Sequence, residues 1–357
     1  MKTLGVAPQL RGLSFDGEKG DIVISCDTIE NPELTCSLDE LPRKFTQGIR
    51  SVLIEGLGAF RLGEDYDDAL NGTSNAQKVT GRAGVINNKV CVVTGGAQGF
   101  GEGIVRSLIA EGALVFIADM NVDGASRLAA ELNKDAGRTV AFGVAVNVTD
   151  EESVLKMVGE VVNTVGGIDL FVSNAGVLKA GSVKEMSLKD FEFVTDVNYI
   201  GFFLCTKHVA PVMEAMNKPK GNYFTDIVSI SSKSALEGSN KNAAYAGSKF
   251  GSVGLVQSFA KELVADNTKV NTVCPGNFFD GPLWSDPERG LFVQYLKTGK
   301  VPGAETVEDV KRFYEAQVPM NRGCDGEDVT KAILYSVEQK YETGQAIPVT
   351  GGQVMLN

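Results

Sequence analysis

The chain has 357 residues, 43% of them hydrophobic and 22% charged, with a net charge of −11. That suits a globular protein with a full core, built as two domains or as one large domain with an extension. The acidic balance argues against nucleic acid or an anionic membrane as the main partner, while leaving room for a local basic pocket.

From the N-terminus, residues 1–84 read as a small α+β extension of unassigned role. "DIVISCDTI" and "SVLIEGLGAFRLG" look like strands joined by polar segments. "GEDYDDALNGTSNAQKVTGRAG" is rich in Gly, Asn, Asp and Ser and reads as a linker. Residues 85–357 form the second unit. "KVCVVTGG", "LVFIADM", "TVAFGVAVNV", "IDLFVSNAG", "FTDIVSISS" and "KVNTVCPG" are short apolar strands. They alternate with helical stretches, among them a long one from about Leu188 to Met216. Near-continuous apolar strands separated by helices predict a parallel sheet covered on both faces, doubly wound by right-handed crossovers in the Rossmann manner. Its ligand is expected beyond the carboxyl ends of the strands.

Six cysteines (Cys26, Cys36, Cys91, Cys205, Cys274, Cys324) show no CxxC pairing, so neither a disulfide framework nor a zinc site is expected. Cys91 and Cys274 read as small core residues. The opening residues lack the apolar run of a signal peptide, and no 18-residue apolar segment suggests a membrane span. A reduced, cytoplasmic location is the expectation.

"TGGAQGFG", Thr94 to Gly101, follows one predicted strand and opens a helix. Gly95, Gly99 and Gly101, with Gln98 and Phe100 between them, fit a loop that lets a pyrophosphate approach backbone N–H groups at a helix N-terminus. Asp119 ends the next strand, twenty residues after Gly99. That is where a carboxylate meets the adenosine ribose hydroxyls, and it would repel a 2′-phosphate. The cofactor expected is therefore NAD. A glycine pattern alone also makes plain turns, and an aspartate also caps loops; the strand–helix–strand context favours the dinucleotide.

Only one histidine is present, His208, so proton chemistry needs another group. Tyr245 and Lys249 lie at i and i+4 and share one face of a helix. A free tyrosine titrates near about 10, and a neighbouring ammonium favours its phenolate. Ser232 stands thirteen residues before Tyr245 at a strand's end, where its hydroxyl can bond a reacting oxygen; Ser231 is the alternative. Asn198 is a polar amide among apolar neighbours in "DVNYIGFF". "SNAG" (Ser173 to Gly176) and "CPGN" (Cys274 to Asn277) end two further strands.

In this order the motifs resemble the short-chain dehydrogenase/reductase family from about Asn87 to Asn357, three quarters of the chain. The resemblance implies a tetrad of Asn198, Ser232, Tyr245 and Lys249. Tyr245 moves the proton, Ser232 polarises the carbonyl, Lys249 holds the ribose and lowers the tyrosine pKa, and Asn198 keeps a relay water. It implies cofactor contacts from Asn147, Val148, Asn174, Ala175, Gly176, Pro275, Gly276 and Asn277 as well. The chain departs from the pattern at Ser173 and at Asn147, where Asn and Asp are usual. It departs again in "NFFDGPLW", where Gly281 stands near the usual Thr or Ser.

"SKSALEGSNKNAAYAGSKFGSVGLVQS", "VPMNRGCDGEDV" and "TGQAIPVTGGQVML" are similar to family members that oxidise a polyol phosphate at carbon 2. Lys233, Ser234, Asn240, Lys241 and Asn242 lie in the loop expected to overhang the reacting centre. The lysines there either bind a phosphate or are plain solvated side chains. Phe278, Phe279 and Trp284 form a lid or wall, or pack inside the domain. "SVLIEGLGAFRLGEDYDDA" is similar to the end of the aldolase half of fused aldolase–dehydrogenases, but with one histidine a metal aldolase is not expected. The alternatives are a dehydrogenase of another ketone class, or a dinucleotide-binding sensor without catalysis. The resemblance also implies a homodimer or homotetramer.

Overall fold

The structure is a computed structural model that describes residues 3–74, 84–288, 290–297, 299 and 301–355. The larger unit begins with β5 (Val90–Thr94), α4 (Gly99–Ala110), β6 (Leu114–Asp119), α5 (Val122–Ala136) and β7 (Ala141–Ala145). It continues with α6 (Glu151–Val165), β8 (Leu170–Ser173), α7 (Leu188–Thr195), α8 (Gly201–Asn217) and β9 (Thr225–Ile230). α9 (Ala243–Leu263), β10 (Thr268–Pro275), α13 (Gly326–Glu338) and β11 (Ala346–Val349) complete it. The seven strands run in the order β11-β10-β9-β8-β5-β6-β7, all pairs parallel. This is the expected doubly wound sheet. Strand order reverses between β5 and β8, which opens the crevice above their carboxyl ends.

β5, β9 and β10 are buried along their whole length, which fits their richness in Val, Ile and Thr. Two apolar cores cover the two faces of the sheet. One contains Ile104, Leu108, Ile117, Ile333 and Val337; the other contains Val161, Phe171, Val209, Met213 and Val256. α6 starts on an Asp150 cap and stops at a left-handed Gly166, and α13 opens with a capping box from Asp325 and Asp328.

The single long helix expected over 188–216 is two helices joined by a π-turn at Asp196–Ile200. One extra residue in the turn rotates the register, and Asn198 sits on it.

The N-terminal unit holds α1 (Thr3–Leu13), β1 (Ile22–Cys26), β2 (Leu34–Cys36), α2 (Leu41–Lys44), β3 (Ser51–Ile54), β4 (Gly58–Gly63) and α3 (Tyr66–Asn71). Its sheet runs β1-β4-β3-β2. α1 lies against α6 and α8. Val6, Leu10, Val23, Phe60 and Leu62 share one apolar core with Val161, Met213 and Met216. Arg11 is fully buried and pairs with Asp169 at the foot of β8; Asp169 also accepts from Val90 N (2.7 Å) and from the Tyr223 hydroxyl. Phe15 stacks on Tyr223 with ring centroids 4.2 Å apart.

The first half of the expected linker is a correction. Asp65 accepts from Asp68 N at 2.8 Å and Gly72 closes α3 in the left-handed conformation, so acidic caps that read as loop composition start and stop a helix. The second half, 75–83, lies outside the described residues.

A third apolar cluster sits apart, between β10 and α13. Phe279, Trp284, Phe292, Val301, Val310 and Val318 form it, over α10 (Pro282–Ser285), α11 (Leu291–Lys297) and α12 (Val307–Glu315).

Candidate active site

Thr94 to Gly101 curls from β5 into α4. Gly95 has φ +63°, and a Cβ on it would stand 3.0 Å from Ala175 Cα; one on Gly101 would stand 1.9 Å from the Gly95 carbonyl oxygen. Asn174 clamps this loop. Its Nδ2 donates to the Thr94 and Gly95 carbonyls (2.9 and 3.1 Å), while Thr94 Oγ1 accepts from the backbone N of Asn174 and Ala175 (3.0 and 3.1 Å). Gln98 holds the N-cap position of α4 without a side-chain cap bond, which leaves first-turn N–H groups for an anion. The glycine loop thus has the bare, backbone-lined surface a pyrophosphate needs.

Asp119 stands beside it at the end of β6. Its Oδ2 accepts from Ala97 N (3.1 Å) and its Oδ1 from Asn121 N (2.9 Å), so it both caps this turn and faces the loop. Asn147 Oδ1 takes the backbone N and hydroxyl of Thr149 (3.1 and 2.8 Å), and Val148 is buried against Gly201.

The four expected catalytic residues come together above β8, β9 and β10. Asn198 is buried and fixed at both ends of its amide. Oδ1 accepts from Val177 N (2.8 Å), and Nδ2 donates to the Val177 carbonyl (2.9 Å) and to Ser248 Oγ (3.1 Å). A Cβ on Gly176 would lie 3.4 Å from Asn198 Oδ1 and 3.6 Å from Lys249 Nζ, which locates both groups at the end of β8.

Lys249 Nζ donates to the Ile230 carbonyl at 2.8 Å and lies 5.7 Å from the centre of the Tyr245 ring. Burial lowers the Lys249 pKa to about 8. Burial raises that of Tyr245; a hydrogen bond from Ser232 pulls it down and Cys274 pushes it up. Tyr245 is therefore held neutral mainly by its burial, a shift opposite to the lowering expected from Lys249. Ser231 turns away: its Oγ meets the Lys249 carbonyl (3.3 Å) and Ser252 (3.4 Å). Ser232 is the serine that reaches Tyr245.

Two loops rim the tetrad. Lys233 is weakly paired with Glu237 (3.7 Å), Ser234 is buried and donates its N to Ser232 Oγ (3.1 Å), and Lys241 is exposed with φ +56°. The Lys241 carbonyl accepts from Gly181 N (2.8 Å), and Asn242 pairs with Gly181, so this loop is tied to the segment that follows β8.

On the other side Gly276 N donates to the Val349 carbonyl (2.9 Å) and the Asn277 carbonyl accepts from Cys324 N (2.8 Å), which holds the Pro275–Asn277 turn. Beside it opens a cavity of about 480 Å³ lined by Gly276, Asn277, Arg322 and Gln353. Phe278 stacks on Phe100 of the glycine loop, ring centroids 4.5 Å apart, while Phe279 and Trp284 enter the separate aromatic cluster. The two expectations for these aromatics thus divide between them. Gly281 lies under the Phe278 ring, where a Cβ would meet it at 2.4 Å. No motif or spacing signals the Phe100–Phe278 contact or the Val177 backbone that fixes Asn198. Cys274 is buried, as read, with its thiol pushed up to about 11.

The model of the short chain dehydrogenase family matches residues 89–284. This chain belongs to the short-chain dehydrogenase family. It is accordingly an oxidoreductase of a family that works with a nicotinamide cofactor on small molecules. It is 37% identical over 272 residues to sorbitol-6-phosphate 2-dehydrogenase of Escherichia coli, covering 75% of this chain and 100% of that one. It is 31% identical to a 3-oxoacyl-[acyl-carrier-protein] reductase of Thermotoga maritima, covering 76% and 99%. Among solved structures, the sorbitol-6-phosphate 2-dehydrogenase of Erwinia amylovora superposes with a TM-score of 0.67 at 37% identity, covering 74% of this chain and 100% of that one. About a quarter of this short-chain dehydrogenase lies outside these matches, so they give no support to the aldolase likeness of its N-terminal stretch.

No helix among the described residues is long and apolar enough to cross a membrane, and no three described His, Cys, Asp or Glu residues gather to hold a metal. His208 pairs with Glu151 at 2.9 Å on the α8 surface.

Proposed function

We propose that the protein is an NAD-dependent dehydrogenase that interconverts a secondary alcohol and a ketone, with sorbitol 6-phosphate and fructose 6-phosphate as the substrate pair. The observation that carries this reading is the Ser232–Tyr245–Lys249 cluster at the strand ends, beside a glycine cradle bordered by Asp119. The likeness to sorbitol-6-phosphate dehydrogenases supports the substrate.

The cradle fits a dinucleotide because a side chain at Gly95 or Gly101 would fill it. Gln98, Gly99, Phe100, Asn174, Ala175, Pro275, Gly276 and Asn277 complete its walls. Asp119 binds the adenosine ribose. Asn147, with Oδ1 committed to Thr149, offers its amide N–H groups to the adenine edge. The bound cofactor, when oxidised, supplies the hydride acceptor.

The chain's own residues handle the proton. Tyr245 accepts the alcohol proton as the carbonyl forms and returns it in reduction. Ser232 donates a hydrogen bond to the reacting oxygen in both directions. Lys249, protonated below about pH 8, binds the ribose and favours the phenolate. Asn198 and the Val177 backbone keep the water path to Lys249 in place. Lys233 and Lys241 attract the substrate phosphate.

The test is NADH formation with NAD or NADP on sorbitol 6-phosphate, free sorbitol and a 3-oxoacyl substrate run in reverse. Tyr245→Phe is the control. Turnover of the phosphorylated polyol, lost about a thousandfold in kcat with cofactor binding kept, is the expected result. Turnover of free sorbitol alone removes the phosphate role of the lysines. Preference for the 3-oxoacyl substrate replaces the polyol reading, and cofactor binding without any turnover replaces catalysis with a sensor.

A further inference from the structure

Ser248 stands just before Lys249 on α9 and is buried. Its hydroxyl donates to the Tyr245 carbonyl at 2.8 Å. That uses its one proton, because a carbonyl only accepts. Its remaining lone pairs can therefore only accept, and Asn198 Nδ2 meets one of them at 3.1 Å. Asn198 lies on the π-turn at Asp196–Ile200, and its amide is also tied to the Val177 backbone beyond β8. A buried chain of bonds thus runs from Val177 through the π-turn to α9, with Ser248 as its last side chain. Turns of this kind are rare and often mark functional sites.

A serine within a helix often bonds back to a carbonyl one turn earlier and does nothing more. Ser252 is such a case. Its Oγ donates to the Lys249 carbonyl at 2.7 Å, and its other contact is Ser231 at 3.4 Å. Ser248 differs in what it reaches. The point where a Cβ on Gly176 would stand is 3.4 Å from Asn198 Oδ1 and 3.6 Å from Lys249 Nζ. The amide that Ser248 holds and the ammonium therefore flank one spot.

We infer that Ser248 is a positioning residue of the proton path: it holds the Asn198 amide, and with it the π-turn, against α9, and so sets the spacing through which Lys249 exchanges protons with water. This rests on the proton role proposed for Tyr245 and Lys249. In oxidation the alcohol loses a hydride to the oxidised cofactor and a proton to Tyr245, and the proton leaves by way of Lys249 to water. Without the Ser248 hydroxyl, Asn198 Nδ2 keeps only the Val177 carbonyl. A misplacement of about 1 Å near a reacting group is costly in rate.

The test is kcat for NAD-dependent oxidation of sorbitol 6-phosphate and of butane-2,3-diol, with and without imidazole as an external proton acceptor. Wild type, Ser248→Ala, Ser252→Ala and Tyr245→Phe are compared. Ser248→Ala should lose about 10- to 50-fold in kcat, keep KM for NAD within about twofold, and return to within about threefold of wild type in imidazole. Ser252→Ala should keep kcat within about threefold and not respond to imidazole. Adding Ser248→Ala to Asn198→Ala should cost nothing further, because the serine acts through that amide. Ser248→Cys keeps a weaker donor and acceptor and should fall between wild type and the alanine variant; it carries the comparison if the alanine variant does not fold.

Unchanged kcat in Ser248→Ala, with Tyr245→Phe inactive, would overturn the inference alone. So would equal losses in Ser248→Ala and Ser252→Ala that imidazole does not relieve, which is plain helix packing, or a loss that adds to that of Asn198→Ala. Activity kept by Tyr245→Phe, or a wild type that turns over neither substrate, would remove the proton reading and the inference with it.

Discussion

Lys249 and Tyr245 feel the same burial with opposite signs: the lysine moves down to about 8 and the tyrosine moves up. A lysine whose folded pKa lies below its unfolded value of about 10.4 makes the folded state bind fewer protons between those two pH values. Its burden on stability, on the order of 3 kcal/mol below pH 8, is therefore relieved as pH rises. The raised acids Tyr245 and Cys274 act oppositely and later. Lys249→Met removes the lysine's burial cost together with its smaller lowering of the Cys274 thiol. We expect the unfolding free energy of this variant, relative to the wild type, to be higher at pH 7 than at pH 9.5 in urea titrations. A difference independent of pH would refute the burial argument. Asp119 gives a second prediction at this scale. Removing its repulsion in Asp119→Ser should raise the NADP-to-NAD ratio of kcat/KM by about a hundredfold. The roles proposed for these residues were legible because each stands at a fixed distance from a strand end. Ser232 was preferred to Ser231 on its spacing from Tyr245; what the sequence did not show is where Ser231 goes, which is onto the Lys249 carbonyl and Ser252.

Helices and strands of the sheet could be read from periodicity because burial on both faces leaves little freedom in composition. The π-turn under Asn198 could not, since one inserted residue changes neither the apolar pattern nor the helix propensity. α1 carries Gly5, Pro8 and Gly12 and no acidic first turn, so its helical character comes from packing on α6 and α8. The aromatics of the third cluster are scattered from 279 to 314 without a period, and only the folded loop assembles them. Beside this cluster in sequence, Phe278 stacks on Phe100 of the glycine loop. Such pairs contribute about 0.5–1.5 kcal/mol beyond buried area. We propose that the stack steadies the segment after β10 against the glycine loop, so Phe278→Ala should speed NADH release about 3- to 10-fold in stopped flow. Phe100→Ala should do the same, and the double variant no more than either. Additive effects would separate the two rings.

At the scale of the molecule, the N-terminal unit is packed into the same apolar core as α6 and α8 and is locked by Arg11 on Asp169. Although burial works against it, Arg11 holds the Asp169 carboxyl below its ordinary value. The matching stability is present above the unfolded carboxylate pKa of about 3.9 and is lost as pH falls below it. Arg11→Ala leaves a buried charge unpaired and should cost about 3–5 kcal/mol at pH 7, less toward pH 3. We propose that residues 3–74 and the dehydrogenase unit unfold together, which calorimetry would show as one transition. The chain's single tryptophan, Trp284, is surrounded by Phe279, Phe292, Tyr295 and Tyr314 in the third apolar cluster, away from both cores of the main sheet. Its emission is thus a local optical gauge of that cluster. A fluorescence change that precedes the loss of far-ultraviolet dichroism on heating would record the cluster opening while the main sheet is still folded.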